Sequence, residues 1–77
     1  MTTIANLKKR QKAIIGKMNS DDIPLKLLEM GCLPGNVVEL IQIAPFKDPL
    51  YLNINDTFLS IRKETAKLIN VELIVDE

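Results

Sequence analysis

Histidine and tryptophan are absent from this 77-residue chain, and cysteine occurs only once. Without histidine, the chain lacks the commonest acid–base catalyst and the commonest metal ligand of proteins. One cysteine cannot form an internal disulfide, and no segment reads as a signal peptide, so a cytoplasmic location is expected. These absences argue against an enzyme, and we predict no catalytic residue, no cofactor and no metal ligand.

The chain also lacks an excess of charge of either sign, since ten Lys and Arg residues balance ten Asp and Glu residues. This balance argues against a nucleic-acid-binding protein and against a basic membrane-surface peptide. No apolar run approaches the roughly 18 residues of a membrane span, so direct membrane insertion is not expected. The apolar content of 47% is enough for the core of one domain, which we place at residues 1–77.

Alternation of apolar and polar residues predicts five short strands. We place them at residues 12–18, 37–44, 50–55, 58–62 and 69–75. Asn55 and Asp56 tolerate positive φ and therefore predict a tight hairpin. The pattern favours an all-β fold, a small and mostly antiparallel barrel with one helix inserted after the first strand. We expect Thr2-Thr3 to cap a helical turn at residues 4–7, and residues 63–68 to form a single turn.

The inserted helix is predicted from Pro24 to Met30. Proline suits a first helical position, and Gly31 can adopt the left-handed conformation that ends a helix. Pro34 and Gly35 then predict a type II turn.

Three carboxylates near this helix are candidate oxygen ligands for a cation: Asp21, Asp22 and Glu29. The interpretation that we favour is stabilisation of the helix dipole and surface pairing with Lys26. Cys32 has no second cysteine or histidine near it in sequence, so we interpret it as a small buried apolar residue.

Some apolar residues fall on the strand face opposite the regular alternation. These are Ile14, Val37, Ile41, Ile43 and Ile74. If they cluster, they form a contact surface for a partner or for self-association. The alternative is that the N-terminal segment or the helix covers some of them.

Three segments in order resemble the FeoA family, the ferrous iron transport protein A family. They are the helix and Pro-Gly turn at residues 27–35, the Ala-Pro to Asp-Pro loop at 44–50, and the strand and Glu-x-Ala turn at 59–66. The resemblance implies an SH3-like barrel that acts as a cytoplasmic accessory protein of bacterial iron uptake. It implies docking to the GTPase-bearing region of the membrane transporter FeoB, without catalysis. The chain departs from the family at Arg10 and Lys47, where glycine is common.

We hypothesise that the helix and the following turn bind this partner. The candidate residues are Leu25, Lys26, Leu28, Glu29, Met30, Pro34 and Gly35. An alternative is an SH3-like module of a metal-dependent repressor system, although the balanced charge and the aromatic content of 4% argue against contact with nucleic acid.

Overall fold

The computed structural model describes residues 2–75. Six antiparallel strands pair in the order β1-β6-β2-β3-β4-β5, which confirms the mainly-β prediction. The strands are β1 (Thr2–Thr3), β2 (Lys12–Ile15), β3 (Val37–Ile43), β4 (Leu50–Ile54), β5 (Thr57–Ile61) and β6 (Asn70–Leu73). Helix α1 spans Leu25–Glu29 and helix α2 spans Lys63–Ala66, while 3-10 turns occupy Ile4–Asn6 and Ser20–Asp22.

Strand β1 is one more strand than the sequence predicts. Thr2 lies opposite Val71 and Thr3 lies opposite Asn70, so the chain start pairs with the last strand. The expected helical turn follows directly, and the Thr3 hydroxyl donates a hydrogen bond of 3.0 Å to Asn6 Oδ1. Threonine suits both roles, because it is β-branched and carries a hydroxyl.

The hairpin between β4 and β5 forms where the sequence predicts it. Asn55 and Asp56 have φ values of 54° and 65°, which are the signs that a type I′ turn requires. Leu52 lies opposite Leu59, and both are buried. The two-residue turn therefore sets a register that turns the leucines of both strands inward.

Strand β3 contributes to both halves of the sheet. Val38 pairs with Ala13 of β2 and with Ile54 of β4, but the β3–β4 register shifts between Leu40 and Gln42. Such a bulge bends a strand and increases its twist, which helps to curve a small sheet around its core.

The core consists of apolar side chains from the strands, from α1 and from the segments around them. It contains Ile4, Leu7, Ala13, Ile15, Ile23, Leu27, Cys32, Val38, Leu40, Leu50, Leu52, Ile54, Leu59, Ile61, Ala66, Ile69 and Val71. The buried position of Cys32 confirms its interpretation as a core residue. No buried polar side chain was found among the residues that the model describes.

The last strand is shorter than predicted. Alternation placed Leu73 and Val75 on the inner face with Val71, yet Leu73 and Val75 are exposed. Leu73 is the last residue of β6, and Val75 follows outside the strand. Leu73 lies opposite the buried Ala13, so it is on the predicted inner face with Val71, but it is not buried there.

The five apolar residues expected on the outer face do not all lie there. Ile14 lies opposite Val37, and these side chains are 40% and 44% exposed. Glu39 follows on the same face of β3 and lies opposite Lys12, which separates this pair from Ile41. After the bulge in β3, Ile43 lies opposite the buried Leu50, so the expectation that Ile43 points outward is wrong. Ile74 follows β6.

Neither helix in residues 2–75 has the length and apolar character needed to cross a bilayer.

Candidate partner-docking site

Helix α1 is a short amphipathic segment that ends abruptly. Leu27 is buried in the core, whereas Leu25 keeps 67% of its surface exposed. The Met30 N–H donates to the Lys26 carbonyl oxygen at 3.1 Å, and Gly31 follows with a φ of 102°. Pro24 precedes the helix as its N-cap, so the helix begins one residue later than predicted.

The turn after α1 is tied to both the helix and the sheet. The Asn36 Nδ2 group donates a hydrogen bond of 2.7 Å to the Gly31 carbonyl oxygen. The Gly35 N–H donates to the Ile15 carbonyl oxygen at 2.8 Å, while the Ile15 N–H donates to Asn36. Gly35 has a φ of 93°, as the predicted turn requires. These bonds fix the turn to the end of β2.

Five of the seven predicted partner-binding residues are solvent-exposed. They are Leu25, Lys26, Glu29, Pro34 and Gly35. Leu28 and Met30 are half-buried and pack against the core, so they also hold the helix in place. The structure thus brings all seven residues into one continuous helix–turn segment, which we call the α1–turn surface.

Leu33 belongs to the same surface but is missing from the sequence prediction. It is 44% exposed and opens the Pro-Gly turn. A leucine at an exposed turn position was the available signal, since turn positions usually favour polar residues. With Leu25, it gives the α1–turn surface two exposed leucines.

The carboxylates near α1 do not assemble a cation site. In residues 2–75, no three Asp, Glu or Cys side chains approach closely enough to hold a metal ion. The surface pairing expected for Lys26 is also wrong, since the ion pairs among the described residues join Arg10 to Glu39 and Arg62 to Asp48. Asp22 lies in the 3-10 turn before the helix rather than on a helical face.

All three aromatic side chains are exposed rather than buried in the core. Tyr51 and Phe58 stack on the outer face of β4 and β5, with ring centroids 5.9 Å apart. Phe46, in the loop before β4, is 94% exposed. Aromatic side chains usually supply much of a core, and this core contains none.

Comparison with known proteins shows the family to which this fold belongs. The FeoA domain model matches residues 2–73, which is nearly all of the chain. The chain belongs to the FeoA domain family. The resemblance found in the sequence is thereby confirmed.

A relative from Porphyromonas gingivalis contains an FeoA part and the transporter FeoB in one polypeptide. That protein, an Fe(2+) transport protein A/Fe(2+) transporter FeoB fusion, is 45% identical over 49 residues. The match covers 64% of this chain and 6% of the fusion protein, so most of the fusion protein has no counterpart here.

Solved structures confirm the fold of this FeoA domain. Iron(II) transport protein A from Clostridium thermocellum is 30% identical, with a TM-score of 0.84 over 95% of this chain and 46% of that one. FeoA from Stenotrophomonas maltophilia, solved with zinc and described as an SH3 domain protein, is 23% identical. Its TM-score is 0.78, covering 94% of this chain and 91% of that one. This FeoA domain is thus an SH3-like barrel of a family that serves ferrous iron transport.

Proposed function

We propose that this FeoA domain is a cytoplasmic accessory protein of ferrous iron uptake, which docks through its α1–turn surface onto the GTPase-bearing region of a FeoB transporter. The observation that carries the proposal is the fusion of a related domain to FeoB in one polypeptide. Fusion holds two domains at a high effective concentration, which is useful when they act together.

The α1–turn surface has the composition of a docking site. Leu25 and Leu33 expose apolar surface, while Lys26 and Glu29 are exposed charges beside them. Interfaces combine apolar residues at their centre with a polar rim. The hydrogen bond from Asn36 to Gly31 holds helix and turn together before binding, so little order has to be gained in the complex.

Isothermal titration of the full chain with the soluble cytoplasmic region of FeoB from the same organism tests the proposal. We expect saturable binding that the double variant Leu25→Asp/Lys26→Glu weakens at least about tenfold, since buried interface anchors are worth more than 1 kcal/mol. The matched control is Lys67→Glu/Leu68→Asp, which makes the same two changes at exposed positions after α2.

Binding lost by the α1 variant and retained by the α2 variant supports the proposed surface. Equal losses in both variants would assign the effect to charge rather than to this surface. No binding of the native domain to the FeoB region at high micromolar concentration would overturn the docking proposal itself.

A further inference from the structure

The balanced net charge conceals a separation of charge along the sheet. Ile43 lies opposite Leu50, and Leu50 lies opposite Ile61. The end of β3, the start of β4 and the end of β5 therefore meet at one end of the sheet, which we call the loop end. The loop at residues 44–49 and the segment at 62–63 leave the strands there.

Two further segments reach the loop end. The Arg10 N–H donates to the Leu40 carbonyl oxygen at 2.6 Å, which places the turn before β2 alongside the second half of β3. The Ile74 N–H donates to the Lys12 carbonyl oxygen at 3.0 Å, so the chain after β6 leaves in the same direction.

Cations concentrate on these segments. They are Lys8, Lys9, Arg10, Lys47, Arg62 and Lys63, and all but the half-buried Lys63 are exposed. The carboxylates on and beside these segments are fewer: Glu39 lies 3.5 Å from Arg10, Asp48 lies 3.8 Å from Arg62, and Glu64, which follows Lys63, is exposed. The opposite end of the sheet and the segments that lead into it carry a smaller balance of the reverse sign: Asp21, Asp22, Glu29 and Asp56 against Lys17, Lys26 and Lys67.

An exposed aromatic ring stands among these cations. Phe46 is 94% exposed between Pro45 and Lys47 in the loop that joins β3 to β4. Val75, which follows β6 at the same end, is 79% exposed. Full exposure of a phenylalanine leaves a large apolar surface in water, and a partner that removes this surface from water gains free energy.

We propose that the loop end binds the surface of an anionic lipid bilayer, with Phe46 entering the headgroup region and the surrounding lysines facing lipid phosphates. Exposed apolar rings beside Lys and Arg are the combination that suits the lipid–water interface. A balanced net charge does not oppose membrane-surface binding here, because the positive charges are gathered at one end of the sheet. The proposal does not depend on docking to FeoB.

Nucleic acid is the weaker candidate for the same cations. Binding of single strands relies on aromatic side chains that are free to stack on successive bases. Tyr51 and Phe58 are stacked on each other on the outer face of β4 and β5, which leaves Phe46 as the free ring.

Flotation of the full chain with vesicles tests the proposal. One set contains phosphatidylcholine alone, and the other contains equal amounts of phosphatidylcholine and phosphatidylglycerol. We expect binding to the anionic vesicles only, and its loss in high salt, since salt screens surface charge. Lys8→Glu/Lys9→Glu should weaken binding by about 30-fold or more, at roughly 1 kcal/mol for each positive charge removed.

Two control experiments test whether binding depends on where the charges and the aromatic ring lie, rather than on net charge or on the number of aromatic rings. Lys17→Glu/Lys67→Glu changes the net charge by the same amount outside the loop end and should leave vesicle binding unchanged. Because the chain has no tryptophan, Phe46→Trp supplies a single tryptophan, which can be excited apart from Tyr51 and whose emission should shift to the blue on anionic vesicles. Leu68→Trp, at another exposed position, should show no shift.

Equal binding to both vesicle types, absence of binding, or equal loss in the two charge variants would overturn the proposal. Binding of duplex DNA or polyglutamate at protein concentrations too low for binding to anionic vesicles would also overturn it, because the loop end would then prefer those polyanions to lipid.

Discussion

The Asp48 carboxylate accepts a hydrogen bond of 2.9 Å from the backbone N–H of Lys63, fifteen residues later in the chain. Lys63 is the first residue of α2, and the first N–H groups of a helix have no partner within it. Asp48 therefore caps α2 from the loop between β3 and β4. A negative charge at this end also complements the helix dipole.

Replacing Asp48 should destabilise the domain. We expect Asp48→Ala to lower the free energy of unfolding by about 1 kcal/mol, the usual value of a helix cap, and to lower the melting temperature by several degrees. Asp48→Asn keeps an acceptor oxygen, so its free energy of unfolding should fall by less than that of Asp48→Ala. Thermal unfolding followed by circular dichroism measures all three proteins.

Arg62→Ala is the control for the contribution of the ion pair. Arg62 lies 3.8 Å from Asp48, and its side chain is 74% exposed, so its removal should cost less than about 0.5 kcal/mol. If Arg62→Ala and Asp48→Ala were equally unstable, the ion pair rather than the cap would be the important interaction.

Local chemistry made part of this fold predictable. The hairpin at Asn55 and Asp56, the stop at Gly31 and the turn at Gly35 each follow from residues that tolerate positive φ, and each occurs in the structure. Such signals need only neighbouring residues. Because α1 and the turn after it are adjacent in sequence, they could also be predicted together as one candidate surface.

Features that join distant residues were not predicted. The pairing of Thr2 with Val71 and the cap of Lys63 by Asp48 depend on contacts that no short window of sequence contains. The separation of positive and negative charges between the two ends of the sheet was not predicted either, because it depends on which strand ends meet. The apolar residues expected on the outer face illustrate the limit, since simple alternation did not foresee the bulge in β3 that places Ile43 opposite the buried Leu50.

Gly31→Ala should test the helix stop. Gly31 has a φ of 102°, and the nearest atoms to an added Cβ lie 3.8 Å away, so the backbone conformation alone opposes a side chain. We expect a loss of about 1–2 kcal/mol in urea unfolding. Gly16→Ala is the matched control: its φ lies outside the left-handed region, and its added Cβ makes an ordinary contact at 3.5 Å. A loss in Gly16→Ala as large as in Gly31→Ala would contradict this account.

The Tyr51–Phe58 stack should contribute to stability from outside the core. The rings are 5.9 Å apart with an interplanar angle of 19°, and both are partly exposed. A double-mutant cycle with Tyr51→Ala and Phe58→Ala should give a coupling free energy of about 0.5–1 kcal/mol, as cross-strand aromatic pairs do. Equilibrium urea unfolding of the four proteins gives this value, and additive losses would show that the rings do not interact.

Cys32 should make the stability of the domain depend on pH in the alkaline range. Burial raises the pKa of the Cys32 thiol, because the core disfavours the thiolate. In the unfolded chain, the thiol ionises at its ordinary pKa, about 8.5. As the pH rises past this value, the unfolded state loses a proton that the native state retains, so the free energy of unfolding falls. The contribution is fully present below this range and is lost as the pH approaches the raised native pKa.

Cys32→Ala isolates this effect from the titration of other groups. The variant should be less stable at neutral pH, because it leaves a small cavity in the core. The difference in unfolding free energy between the native domain and Cys32→Ala should then shrink between about pH 7 and pH 9.5. Urea unfolding at both pH values measures it. A difference that stays constant would show that the thiol titrates alike in the folded and unfolded states, although Cys32 is only 1% exposed in the fold.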